Sequence, residues 1–258
     1  MRQRFIQSFS TSGTEHEAID AELLGKPYVA YIEDGRYIDW NTLWPTPPVP
    51  PEPTEIVCTY SVASTSTAVR IAGNVEQSNF RANLENGTEI QLPELGWKDY
   101  NFPATGQQKV TFTSLQPRTS IPGFDGCPKL INIYIPEGYT KIRMNGFESC
   151  TGLTSITIPN SVTAITGGSN FAYCNRLQEV NIGTGIMELG GQVFLGCSVL
   201  SAITINATTP PTIGSNVLDS APNAYFYVPD EAVAAYKAAS TWSSYADRVK
   251  GISEKPVS

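Results

Sequence analysis

Apolar and polar positions along the middle of the chain follow one pattern that returns five times. Its first copy sets Phe124, Cys127, Leu130, Ile133 and Ile135 among polar residues; the second sets Phe147, Cys150, Leu153, Ile156 and Ile158. Phe171, Cys174, Leu177, Val180 and Ile182 form the third, and Phe194, Cys197, Leu200, Ile203 and Ile205 the fourth. A degenerate fifth reads as Val217, Ser220 and the run Tyr225 to Val228. A constant period of roughly twenty-odd residues predicts a solenoid, in which each turn buries its apolar face only by stacking on its neighbours. Within each turn Leu-x-x-Ile-x-Ile predicts a short parallel strand, which Pro136 and Pro159 terminate in the first two copies. Ile121, Ile142, Ile165, Leu189 and Ile213 keep step on the return path. Each such side chain contributes about 1.5–3 kcal/mol when fully buried, so stacking is the main source of stability.

The flanks follow other rules. In residues 1–44, Thr14 and Glu17 match a capping box ahead of Ala18, Ile19, Leu23 and Leu24, which predicts a short helix. Two aromatic-rich runs on either side of Asp34-Gly35 predict a hairpin over residues 26–41. Six prolines crowd residues 45–53 and predict an extended spacer of about 28 Å between two modules. Residues 54–116 alternate short β-like runs with turns, including a hairpin at Asn86-Gly87, and predict a β cap over the first turn of the repeats at 117–229. Residues 230–258 predict a closing cap, with Asp230 as N-cap of an alanine-rich helix and Val233, Tyr236 and Trp242 laid over the last turn.

Composition narrows the partners. The 258 residues carry a net charge of -7, so no basic stripe is available for phosphates, and nucleic acid is not an expected partner. No window reaches the roughly 18 apolar residues of a membrane helix, so no membrane insertion is expected. Met1 to Ser10 has no apolar core of an export signal, which predicts synthesis without Sec export. The five cysteines lack the paired spacing of a zinc site. Four share one slot of the repeat, which predicts a ladder of buried free thiols at about 4.8 Å intervals.

Candidate chemistry is sparse, and the chain is expected to be neither an enzyme nor a cofactor protein. His16, the one histidine, reads as a solvated residue, and the glycine pairs at Gly167 and Gly190 as turn residues. The expected binding surface is the outward side of the repeat strands, with Asn132, Tyr134, Thr157, Glu179, Asn181 and Thr204 as the candidate ligand face; Ser155 and Ala202 share it. Tyr28, Tyr31, Tyr37, Trp40 and Trp44 offer more aromatic surface than one hairpin covers and are the candidate interface, either with a partner or within a homo-oligomer.

The motif Phe-x-x-Cys-x-x-Leu-x-x-Ile-x-Ile-Pro, followed by Ser161 to Ile165, resembles the BspA-type leucine-rich repeat of bacterial surface proteins over residues 117–229, and the ending Tyr227 to Ala246 resembles that family's closing segment. The resemblance implies a right-handed leucine-rich-repeat solenoid of parallel strands; with the flanks read above, the expected fold is mainly β, with a small β cap before the solenoid, a helical cap after it, and a separate N-terminal hairpin anchor. The resemblance also implies an adhesive module without catalytic residues. Lys26 to Asn41 resembles the opening of virion proteins of phages that infect Bacteroides-like hosts, including crAss-like phages. That second resemblance implies a capsid-decorating or head-fibre protein. Such a protein is assembled in the host cytoplasm, anchored to capsid or other virion proteins by its N-terminus, and displays the repeats to a glycan or protein receptor. A bacterial cell-surface adhesin is the alternative.

Overall fold

Stacked coils built from the repeated slots fill most of the larger of two units, Met1–Glu52 and Pro53–Ser258. The computed structural model describes residues 55–73, 80–93, 96–115 and 119–256, together with the backbone of four short strands in the first unit. There β1 (Phe9–Thr11) pairs antiparallel with β2 (Thr14–His16), and β3 (Val29–Tyr31) with β4 (Tyr37–Asp39). Thr14 therefore lies in a strand and does not open a helix; residues 18–24 lie outside the described residues. Thr11 pairs with Thr14, Ser10 with Glu15 and Phe9 with His16, and three ladder pairs outweigh a single capping bond.

The second unit begins with an antiparallel sheet. β5 (Ile56–Val62) pairs with β10 (Gly106–Ser114), which pairs with β7 (Phe80–Leu84), and β8 (Glu89–Ile90) completes that side. Asn86-Gly87 turns β7 into β8: Gly87 has φ 83°, and Asn86 Oδ1 accepts the Thr88 N–H at 3.0 Å. A smaller pair, β6 (Val69–Ala72) with β9 (Lys98–Tyr100), packs beside it, and its Arg70 spans Asp99 and the face of Trp97. Trp97 Nε1 then donates to Asp125 at 3.1 Å, tying this region to the first coil.

That first coil departs from the parallel expectation. Its strand β11 (Leu130–Tyr134) pairs antiparallel with β5, with an irregular step between Leu130 and Asn132. An apolar edge left open at the start of a coil stack invites association, and antiparallel pairing from β5 covers it. The remaining coils make two parallel sheets. One runs β13 (Ser155–Ile158), β15 (Glu179–Ile182), β17 (Ala202–Ile205), β19 (Tyr225–Val228); the other runs β12 (Lys141–Ile142), β14 (Ala164–Gly168), β16 (Glu188–Gly191), β18 (Thr212–Ile213).

Identical slots make columns inside. Phe124, Phe147, Phe171 and Phe194 stack with ring centroids 5.5, 5.1 and 5.6 Å apart, and Phe112 meets the first ring edge-on. Cys150, Cys174 and Cys197 donate their S–H groups to the carbonyls of Phe124, Phe147 and Phe171, one coil back, at 3.0, 3.1 and 3.1 Å. All five cysteines are free and buried, and Cys58 of β5 joins the column beside Cys127. The glycine pairs at Gly167 and Gly190 lie inside strands β14 and β16, not in turns. A Cβ on Gly190 would stand 1.8 Å from the Gly167 carbonyl oxygen, so neighbouring coils approach too closely there for any side chain.

The fifth coil is shifted by one residue from its expected register. Phe194 N–H donates to Val217 just as Phe171 N–H donates to Val193, so Val217 aligns with Val193 and Leu218 takes the aromatic slot. Ala221 N–H returns to Leu218 as Cys197 N–H returns to Phe194, placing Ala221 in the cysteine slot and Ser220 at the surface. The shift arises because this coil is one residue shorter between Leu218 and Phe226, which aligns with Ile203.

Past the fifth coil, a 3-10 turn at Asp230–Ala232 leads into α1 (Val233–Ala238) and a second 3-10 stretch, Ser240–Arg248. Asp230 caps no helix; its Oδ1 accepts from the backbone N–H and hydroxyl of Ser253. Tyr236 and Trp242 are fully buried, and Val233 packs partly buried against the core. Their polar tips meet the last coil: Tyr236 OH donates to Ala207 at 2.8 Å, Trp242 Nε1 to Pro211 at 2.7 Å, and Tyr245 OH accepts from Val217 at 3.0 Å. β20 (Val249–Gly251) then adds a further parallel strand to β19.

Candidate functional site

Outward positions of neighbouring strands fall into rows. Ser155, Glu179, Ala202 and Tyr225 share one, and Thr157, Asn181, Thr204 and Tyr227 the next. Asn132 and Tyr134 sit in the antiparallel sheet, opposite Thr59 and Val57. The predicted ligand face is therefore split. Asn132, Ser155 and Thr157 are exposed, Tyr134, Glu179 and Asn181 are partly buried, and Ala202 and Thr204 are buried.

Thr204 is covered because the chain folds back after β20. Lys255 Nζ pairs with the Glu179 carboxylate and donates to Thr204 Oγ1 at 3.2 Å. Asn206 fills the space beside Asn181, donating to its Oδ1 at 2.7 Å. Lys250 lies over the Tyr225 ring at 4.0 Å. The C-terminal half of the expected face is thus occupied by the protein itself, and the open half lies toward the antiparallel sheet.

A groove of about 500 Å³ opens in that half. The antiparallel sheet ends at β11 and the parallel sheet begins at β13, so the surface is interrupted between them. Asn132 and Ile131 form one wall, with Thr59 and Gln107 behind them, and Thr154 and Ser155 form the other. Gly152 and Arg176 complete the lining, and no acidic side chain belongs to it among the described residues. A Cβ at Gly152 would press within 2.6 Å of the Leu130 and Pro128 carbonyl oxygens, so the backbone of the preceding coil occupies the place of a side chain and only glycine fits.

The charges of the coils have structural duties. Burial raises Glu137, but the N–H groups of Asn160 and Ser161, at 2.9 and 2.7 Å, outweigh it and hold the carboxyl below its ordinary range. Glu148 is raised, by burial and then by the nearby Asp125. Burial drives every cysteine thiol upward, Cys197 to about 12, so the column stays protonated. Among the described residues no three His, Cys, Asp or Glu side chains cluster as a metal site would require. No helix among them is long and apolar enough to cross a membrane.

For the aromatic hairpin, the backbones of Tyr31 and Tyr37 stand opposite each other across β3 and β4, and Tyr28, Trp40 and Trp44 lie outside the described residues. His16 is the last residue of β2 and pairs with Phe9. Gly152, Arg176, Thr59 and Gln107 were not among the predicted site residues; the one sequence signal for them is a glycine standing between Lys129 and Arg176 in the corresponding slot of three successive coils.

Among curated proteins, none matches this chain. The description "BspA type Leucine rich repeat region" matches residues 98–235 in six copies, starting ahead of the repeats read at 117–229 and taking in β9 and β10. Coils, columns and match agree: the chain belongs to the BspA-type leucine-rich-repeat family.

Proposed function

We propose that this chain is a non-catalytic recognition module of the surface or adhesion type, holding its coils out to a receptor. The observation that carries the reading is the division of labour in each coil. The Phe, Cys, Leu and Ile or Val slots of the repeat are buried inside the stack, with Met144, Tyr173, Met187 and Val199 the large apolar side chains left exposed on the coils, while Asn132, Ser155 and Thr157 on the outward side are small, polar and open. Such a surface is suited to contact rather than to bond-making. In the finer form of the reading, the module is a capsid-decorating or head-fibre component of a phage virion. Its first unit, with Tyr28, Tyr31, Tyr37, Trp40 and Trp44, docks on capsid or other virion proteins as a homo-oligomer, and the prolines of residues 45–53 space the coils from the particle. Family membership by itself favours a second carrier, a bacterial cell surface.

Antibody detection of the full chain in a producing culture tests both levels. Recovery with density-banded particles supports the virion form; recovery with the cell envelope alone replaces it by the adhesin. If purified full-length protein fails to coat host cells or mucosal surfaces under any condition that keeps it folded, the recognition reading itself is lost.

A further inference from the structure

We propose that the groove between β11 and β13 binds a carboxylated sugar, with Arg176 receiving the carboxylate; this rests on the recognition reading above and names its ligand class. The repeat itself supplies the first argument. Lys129, Gly152 and Arg176 occupy the slot just before Leu130, Leu153 and Leu177 in three successive coils. Lys129 and Arg176 therefore belong to the coils on either side of Gly152, and of the two cations only Arg176 lines the groove. Gly152 is required by its carbonyl neighbours, so no side chain from this slot enters the groove that it lines.

Charge supplies the second. Arg70, Lys109 and Lys255 each pair with a carboxylate of the protein, at Asp99, Glu85 and Glu179. Arg176 is exposed and makes no ion pair among the described residues, in a chain whose net charge is -7. A planar guanidinium presents a fork that matches a carboxylate through two parallel hydrogen bonds. Because no acidic group lines the groove, nothing there repels that anion.

The rest of the lining selects hydroxyls. Thr59, Thr154 and Ser155 carry groups that both donate and accept, and Asn132 and Gln107 bring amides. Ile131 offers a small apolar patch for a sugar's C–H face. One guanidinium in the lining, among hydroxyls and amides, fits a ligand with a single charge and many hydroxyls better than a polyanion or an acidic peptide. The volume, about 500 Å³, lies within the range of small-ligand sites, about 300–1,000 Å³.

Calorimetric titration of the full chain tests this with two acidic probes and their neutral counterparts: a glucuronyl disaccharide against its glucosyl analogue, and sialyllactose against lactose. We expect one acidic probe to bind roughly tenfold or more tightly than its neutral partner, with the preference weakened by added salt. Which probe binds tells a uronate from a sialate. Arg176→Gln should erase the preference and Arg176→Lys restore part of it. Ser155→Trp, placed on the exposed face, should block binding at an unchanged melting temperature. Equal binding of acidic and neutral sugars, binding untouched by Arg176→Gln, or binding of neither acidic probe overturns the proposal. In that last case, protein that still coats host cells leaves the recognition reading standing, whereas protein that coats nothing removes both.

Discussion

The middle coils and the two ends solve the same problem by different means. Between Phe147 and Phe194 each coil is satisfied by copies of itself: ring on ring, thiol on carbonyl, backbone N–H on the neighbouring coil. At the ends no further copy follows. The antiparallel β5 covers the first coil, and the tips of Tyr236, Trp242 and Tyr245 meet backbone groups of the last. Repetition thus makes the interior regular, and each terminus needs a specific device to stop it.

The largest expected effect sharpens what the shared interior implies. Thiols raised by burial contribute stability that is fully present below their unfolded value of about 8.5 and lost as pH rises from there toward their folded values, about 12 for Cys197. Each removes about 1.4 kcal/mol per pH unit within that window, and five act together. Urea midpoints should therefore fall steeply from pH 8.5 to pH 10, and Cys150→Ala with Cys174→Ala should flatten the slope. An unchanged midpoint across that range would contradict the protonated column.

Next in size, Phe171→Ala should cost about 3–5 kcal/mol in denaturant titration, because the ring is buried between two others. If coils instead behaved as independent units, the loss would be confined to one coil's amide protection. Trp242→Phe isolates the end: it keeps most of the ring and removes the bond to Pro211, leaving that carbonyl unpaired at about 1–3 kcal/mol. Hydrogen exchange should then rise chiefly in residues 212–228. The smallest effect belongs to Lys255→Ala, below about 1 kcal/mol for a part-exposed ion pair, with faster exchange beneath the tail as its readout.

Much of the middle was legible in the sequence because one coil's apolar spacing predicts the next, and hydrophobicity alone places Phe147, Cys150, Leu153 and Ile156 inside. What failed to repeat was misread. Val217 outweighs Leu218 to the eye only because a residue is missing before Phe226. Thr204 was expected outside, since nothing periodic signals that Lys255 returns across it. The antiparallel pairing of β11 joins residues far apart in sequence, and that pairing, with the sheet break it creates, brings Thr59 and Gln107 to Arg176. A groove assembled from such unlike segments carries no spacing to read.

Because Cys197 meets Phe171 in the same way that Cys174 meets Phe147, one coil is an exchangeable part. Excising the chain from Ala172 through Phe194 would join Phe171 to Leu195 and bring Cys197 beneath Phe147, with both terminal devices intact. The protein would shorten by one rung, about 4.8 Å. Reach, in such a molecule, can be inherited in whole steps while β5 at one extremity and the rings of Tyr236, Trp242 and Tyr245 at the other keep their partners, with only the pair of Lys255 and Glu179 given up.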